Sequence, residues 1–220
     1  KFADRCGARP GFLRRCGGEH TRKTVRIAAP FEIKGSDPAL SGDILLRMDV
    51  VETLVEVNER GEPVAALAQR WQVSDDGLRW QFQLRDGVHF HDGSLLDAVA
   101  VVKSLNTARG KAGLLDKTPI ADISGAGQLV TITLREPFTP LLSVLAESRS
   151  QILALASWDA QGNITRIIGS GPFTLTSFQP PQSLTVARFA GLLGRETGDC
   201  RRQLSGDRPR GNPCATGRKR

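Results

Sequence analysis

The chain has 220 residues, of which 24% are charged and 40% hydrophobic, and its formal net charge is +7. This length allows one large domain or two small ones, and no apolar run approaches the roughly 18 residues that a membrane-spanning helix needs. The positive charge lies in the two tails, residues 1–24 and 191–220, so residues 25–190 keep 15 basic and 18 acidic residues. A mildly acidic body argues against a polyanion as its partner.

The N-terminal tail, residues 1–24, is rich in Arg and Gly and has no apolar periodicity. This composition predicts a disordered or corrupted segment, and it lacks the apolar run of a secretion signal. At Val25 the pattern changes, because residues 25–33 (VRIAAPFEI) predict a strand. A turn-rich loop containing Pro38 follows, and residues 44–57 predict a helix that leads into a strand.

The most regular pattern begins at residues 79–84, RWQFQL, where polar and apolar residues alternate. The alternation predicts a half-buried strand with Trp80, Phe82 and Leu84 on its inner face. Two turns then flank a second short extended run that contains Phe90, which we also expect to be buried.

An amphipathic helix is predicted from Ser94, where apolar residues begin to recur every three or four positions. Asp97 is expected in its first turn, where a carboxylate is favourable. The predicted apolar face consists of Leu95 or Leu96, Val99, Val102 and Leu105.

Three later segments complete the predicted body. Residues 129–134 (LVTITL) alternate as a strand, and residues 140–146 predict a short helix with an apolar face. In the third segment, residues 169–189, Gly169 and Gly171 allow turn geometries that a Cβ resists.

Residues that could carry chemistry are few. All four cysteines lie in the tails without C-x-x-C spacing, so neither a zinc site nor a disulfide framework is predicted. His89 and His91 can share a strand face but lack a third ligand, and Asp75 and Asp76 are best explained by a turn. No nucleophile or phosphate-binding motif occurs. We therefore predict no catalytic residue, no metal ligand and no enzymatic activity.

The segment from Asp76 to Val101 also carries a longer motif, D-G-x-x-W-x-F-x-L-R-x-G-V-x-F-x-D-G-x-x-x-x-A-x-x-V. It resembles the periplasmic solute-binding proteins of ABC importers, in the peptide- and nickel-binding branch (bacterial extracellular solute-binding protein family 5). Further matches are Pro63, Leu67, Ala68, Trp71, Gly169, Gly171, Pro172 and Phe173. The last four resemble a turn of the family that is followed by a hairpin, so the resemblance implies a hairpin within residues 169–189. The resemblance covers about residues 25–190.

This resemblance implies an α/β fold, a mixed sheet with flanking helices that forms part of the N-terminal lobe of a two-lobed periplasmic binding protein. The implied function is the substrate-binding component of an ABC importer for short peptides or for nickel as a chelate. The implied partners are a small-molecule ligand and a permease in the inner membrane, with no nucleic acid. The implied location is the periplasm.

Arg149 is the one ligand-binding residue that the resemblance implies. It falls where nickel-binding relatives place an arginine that grips the carboxylates of a metal chelate, a task for which a planar guanidinium is suited. A solvated surface arginine is the alternative. Ala112 stands where those relatives have an aromatic residue at the wall of the pocket.

The resemblance stops at Ala190. Residues 191–200, GLLGRETGDC, can be encoded as GGC CTA TTG GGG CGA GAA ACC GGC GAT TGC. Removing the first base gives AYWGEKPAI, which resembles the family at that place. We therefore interpret residues 191–220 as a basic tail translated out of frame and expect a truncated, non-functional form. The alternative hypothesis is a basic-tailed module that binds nucleic acid or protein, which salt-dependent retention on DNA would support.

Overall fold

Two four-stranded sheets dominate the part of the chain that the computed structural model describes, residues 23–28, 35, 37–180, 183–189 and 200–205. The strands are β1 (Lys23–Ala28), β2 (Glu52–Thr53), β3 (Val55–Val57), β4 (Pro63–Ala65), β5 (Ala68–Val73), β6 (Arg79–Leu84), β7 (Ile120–Ala126), β8 (Leu129–Leu134), β9 (Gln151–Ile152), β10 (Phe173–Gln179), β11 (Ser183–Arg188) and β12 (Cys200–Ser205). The helices are α1 (Pro38–Arg47), α2 (Ala98–Arg109), α3 (Leu141–Leu145) and a 3-10 turn, Leu155–Ser157. This mixed α/β architecture confirms the predicted fold class.

The second sheet has the order β5-β6-β8-β7, and all of its pairs are antiparallel. Its central strand β6 has the predicted bounds, and the side chains of Phe82 and Leu84 are fully buried. Trp80 lies on the same face, stacked on Phe82 with 6.4 Å between ring centroids, but it is only partly buried. Phe90 is buried in the same core, so the predicted apolar face of this segment is confirmed.

Helix α2 packs on this sheet, but it begins later than the sequence predicted. Leu95 forms an isolated bridge with His89, and the Leu96 amide donates to the Val88 carbonyl, so residues 94–96 remain extended. Asp97 is therefore the N-cap, whose carboxylate accepts from the Ala100 amide at 2.8 Å, rather than a first-turn residue. The prediction for Val99 was wrong: 53% of its surface is exposed, because the buried face of α2 runs through Ala98, Val101 and Leu105 instead. The buried face consists of Ala98, Ala100, Val101, Ser104 and Leu105.

Helix α1 also corrects the sequence prediction, which assigned its first half to a loop. The Asp37 carbonyl accepts from the Leu40 and Ser41 amides, and Pro38 occupies the first helical position, where its missing N–H costs nothing. The buried side of α1 joins a second core, in which Leu45 and Met48 pack with Phe173 of β10.

The first sheet has the order β1-β12-β11-β10. The hairpin of β10 and β11 confirms the prediction for residues 169–189. Strand β12 pairs parallel with β1 and antiparallel with β11. This corrects the sequence analysis, which predicted no regular element in residues 191–220. It also predicted none in residues 1–24, whereas β1 begins at Lys23. Backbone pairing satisfies N–H and C=O groups whatever the side chains are, so it needs no apolar pattern. The domain limits and the out-of-frame origin of the C-terminal segment stay predictions.

The two cores meet where residues 169–171 cross residues 49–52. The Gly171 and Phe173 amides donate to the Val50 and Asp49 carbonyls at 3.2 and 3.1 Å. A Cβ on Gly169 or Gly171 would lie 2.1 or 2.2 Å from these same carbonyl oxygens, so the crossing requires glycine. Within the described part of the chain, no helix is long and apolar enough to cross a bilayer.

Candidate functional site

Arg149 lies in the turn between α3 and β9, and backbone groups fix its side chain. The turn closes with amide-to-carbonyl bonds from Glu147 to Val144 and from Ser150 to Glu147. The guanidinium Nη1 donates to the Ala112 carbonyl at 2.9 Å, and Nε lies 3.8 Å from Glu147 Oε1. Nη2 has no acceptor among the described residues, and 45% of the side chain is exposed. One edge of the guanidinium is therefore oriented and left available to a ligand.

An ion pair lies beside this arginine. The ammonium of Lys111, in the segment that follows α2, is 2.5 Å from Oδ2 of Asp37, which directly precedes α1. The side chains are 34% and 35% exposed, so both are about two-thirds shielded from water. Lys111 and Arg149 line the same cavity, and Ala112, the acceptor for Arg149, directly follows Lys111.

A narrow cavity of about 20 Å³, partly open to solvent, lies among these groups. Its mouth carries Asp37, Lys111 and Arg149, and its interior is lined by Leu153, Trp158 and Ile164. Gln151 also lines it, held by a bond from its amide nitrogen to the Gly42 carbonyl, while its Oε1 is buried without a partner. The indole nitrogen of Trp158 is likewise buried and unpartnered. A mainly apolar recess with a few polar groups at its mouth has the composition of a small-molecule site, but its volume is that of one wall of such a site rather than of an enclosed pocket.

A second and much wider groove, about 430 Å³, lies beside His91, Arg166 and Phe178. His91 Nε2–H donates to the Gly171 carbonyl at 2.9 Å, and its ring packs edge-on against Phe189. Burial lowers the pKa of His91, although the Gly171 carbonyl and Asp92 oppose the shift. We favour the first cavity as the ligand site, because this groove is more open and no ion pair lies at its mouth among the described residues.

The other residues weighed in the sequence have structural roles. His89 donates from Nδ1 to the Gly87 carbonyl, and Asp76 accepts from the Leu78 amide in the predicted turn. No group of three or more metal-ligating side chains occurs within the described ranges. The sequence singled out neither Asp37 nor Lys111, since nothing in it signals a contact across 74 positions. Ala112, regarded in the sequence as a missing wall, supplies the carbonyl that holds Arg149.

Comparison with known proteins identifies the family. Residues 62–197 match the family described as bacterial extracellular solute-binding proteins, family 5 Middle. Because this match spans more than half of the chain, the protein belongs to that family of solute-binding proteins of ABC transporters, which are not enzymes.

Individual relatives agree with this membership. The nickel-binding protein NikA of Staphylococcus aureus is 26% identical over 79% of this chain and 35% of its own length. The glutathione-binding protein GsiB of Escherichia coli strain 536 is 30% identical over 77% of this chain and 35% of its own. The crystal structure of a nickel ABC transporter from Bacillus halodurans is 29% identical, with a TM-score of 0.73 over 84% of this chain and 39% of the other. The chain thus spans about a third of the length of its curated relatives, and none of these comparisons supports the alternative of a nucleic-acid-binding module.

Proposed function

We propose that this chain belongs to the substrate-binding component of an ABC importer and that Arg149 binds a carboxylate of the transported ligand. The observation that carries the proposal is the oriented guanidinium at the mouth of the cavity. Ala112 and Glu147 hold two of its edges, and Nη2 remains for a ligand. A planar fork held in this way matches a carboxylate in a geometry that a flexible ammonium does not reproduce.

The ligand is a short peptide or nickel carried as a carboxylate chelate. Both classes have support among the relatives, whose names state nickel binding and glutathione binding. The small side chain of Ala112 favours the peptide class, because the aromatic wall associated with a nickel chelate has no counterpart at that position. If the ligand is a nickel chelate, the metal is cargo and its carboxylates, rather than the metal itself, contact Arg149.

This chain supplies only one wall of the binding cleft, because proteins of this family hold the ligand between two lobes. A contact between a carboxylate and an arginine that is 45% exposed contributes about 0–1 kcal/mol. Micromolar affinity requires about 8 kcal/mol. The contact at Arg149 therefore falls far short of micromolar affinity, and we expect the 220-residue chain to bind neither short peptides nor nickel chelates at micromolar concentration.

The wider setting follows from the family. The complete binding protein works in the periplasm and delivers its ligand to a permease in the inner membrane. We further propose that the reading frame is shifted near codon 190, which the alternative reading AYWGEKPAI supports. Sequencing the gene through this codon tests the frameshift. The frameshift would be excluded if related genes encoded the sequence of residues 191–220 in the same reading frame as residues 25–190.

The binding proposal is tested by titrating the 220-residue chain with glutathione and, separately, with nickel(II) and two equivalents of L-histidine. Nuclear magnetic resonance detects millimolar binding through the Arg149 Nε–H and Trp158 indole N–H signals. Arg149→Ala should abolish the ligand-induced shifts, whereas Arg135→Ala removes the same charge from an exposed turn and should leave them unchanged. Equal titrations of the Arg149 and Arg135 variants would refute the proposal.

A further inference from the structure

Two residues that line the cavity each carry a buried polar atom without a hydrogen-bond partner among the described residues. They are Gln151, which is only 3% exposed and whose Oε1 is unpaired, and Trp158, whose indole Nε1–H is unpaired. The first atom is an acceptor and the second is a donor. Buried polar groups in folded proteins are nearly always paired, because an unpaired group costs its full desolvation penalty. Each of these two atoms therefore needs a partner.

Both side chains are held in place, so neither can turn to find a partner elsewhere. Gln151 lies in β9, which pairs with β2, and its Nε2 donates to the Gly42 carbonyl. Exchanging Oε1 and Nε2 would bring two acceptors together, so the amide orientation is fixed. The backbone of Trp158 forms a bridge with Ile164, and the ammonium of Lys103 lies 5.9 Å from the centroid of its ring.

The volume of the cavity matches one water molecule. The cavity measures about 20 Å³, and a single water needs at least about 10–15 Å³ and two or more polar partners. Water can donate to one group while it accepts from another, so a single molecule can satisfy an unpaired acceptor and an unpaired donor together.

We infer that this cavity is a binding site for one ordered water, which donates to Gln151 Oε1 and accepts from the Trp158 indole N–H. Because Gln151 is also bonded to Gly42 of α1, a chain of hydrogen bonds then runs from α1 through Gln151 and the water to Trp158. The inference does not depend on the proposed function, because it involves neither Arg149 nor a transported ligand.

Nuclear magnetic resonance of the isotope-labelled 220-residue chain tests for this water. A rotating-frame Overhauser cross peak between the Trp158 indole N–H and water reports a bound molecule, and its sign separates a dipolar contact from chemical exchange of the proton. We expect this cross peak in the unsubstituted chain. Gln151→Met keeps a side chain of similar length but removes the acceptor, and it should abolish the cross peak. No dipolar cross peak in the unsubstituted chain, or one that persists unchanged in Gln151→Met, would overturn the inference.

A double-mutant cycle measures the link between the two residues in urea denaturation. The lost bond to Gly42 is common to both variants that carry Gln151→Met, so its contribution cancels. Trp158→Phe should change the equilibrium constant of unfolding by a factor at least about threefold smaller in the Gln151→Met background than in the unsubstituted chain.

Trp80→Phe is the matched control for this cycle. It removes another buried and unpaired indole N–H, on a residue that does not line the cavity, and it should have the same effect in both backgrounds. Equal effects of Trp158→Phe in the two backgrounds would show that no water joins Gln151 to Trp158.

Discussion

Gly171→Ala should destabilise the fold more than its single added methyl group suggests. The new Cβ would lie 2.2 Å from the Asp49 carbonyl oxygen, more than 1 Å inside ordinary contact, and backbone atoms on both sides must separate to admit it. That separation disrupts the bonds from Gly171 N to Val50 O at 3.2 Å and from Phe173 N to Asp49 O at 3.1 Å. It also displaces the carbonyl that accepts from His91 at 2.9 Å.

The expected cost combines overpacking, about 1–3 kcal/mol, with two or three weakened hydrogen bonds at about 1 kcal/mol each. Together these give about 4 kcal/mol, a large share of the 5–15 kcal/mol typical of a folded domain. Urea denaturation followed by tryptophan fluorescence and by circular dichroism measures the free energy of unfolding. Gly110→Ala is the matched control, because its Cβ would meet nothing closer than 3.5 Å and its φ is −73°. A cost below about 1 kcal/mol for Gly171→Ala would show that the backbone at residues 169–171 and 49–52 can separate with little strain, and it would refute this prediction.

Three further substitutions test other parts of the fold. Burial lowers the pKa of His91 below its ordinary 6.5, so the unfolded chain binds this proton more tightly. The free energy of unfolding should therefore fall as the pH decreases through about 6.5, and His91→Gln should flatten this slope in urea titrations from pH 5 to 8. Asp97→Ala removes the N-cap bond to Ala100 and should cost about 1 kcal/mol in the same assay, whereas Asp97→Asn should cost little. Phe82→Ala empties a fully buried position and should cost about 3–5 kcal/mol; a cost near that of a surface substitution would contradict the assigned core.

The sequence predicted the second sheet well, because its signals are local. The bounds of β6 and β8 follow from strict alternation, a pattern that survives only where one face of a strand is buried. Helix ends were predicted less well. The start of α2 depends on a bridge between His89 and Leu95, which competes with helix formation and has no sequence signature. Strand β12 was missed for a related reason, since pairing with β1 and β11 is a long-range backbone interaction.

At the candidate site the sequence pointed to one residue, Arg149, through its resemblance to nickel-binding relatives, and its role stays a prediction. The residues around it come from distant segments of the chain. Lys111 and Asp37 are 74 positions apart, and Arg149 and Ala112 are 37 apart. No periodicity links such residues, because each is placed by the end of a different helix rather than by its own local pattern.

The bonds that hold the site use main-chain acceptors, and this arrangement has a consequence for specificity. Arg149 donates to the carbonyl of Ala112, and Gln151 donates to the carbonyl of Gly42. Because Gly42 has no Cβ, α1 can lie close to the Ser148 carbonyl. A backbone carbonyl is present whatever the side chain, so a large or a small residue at position 112 can still accept the hydrogen bond from the Arg149 guanidinium. The orientation of the Arg149 guanidinium therefore does not depend on the shape of the side chain at position 112, so the carboxylate contact proposed for Arg149 and the wall beside it can vary independently.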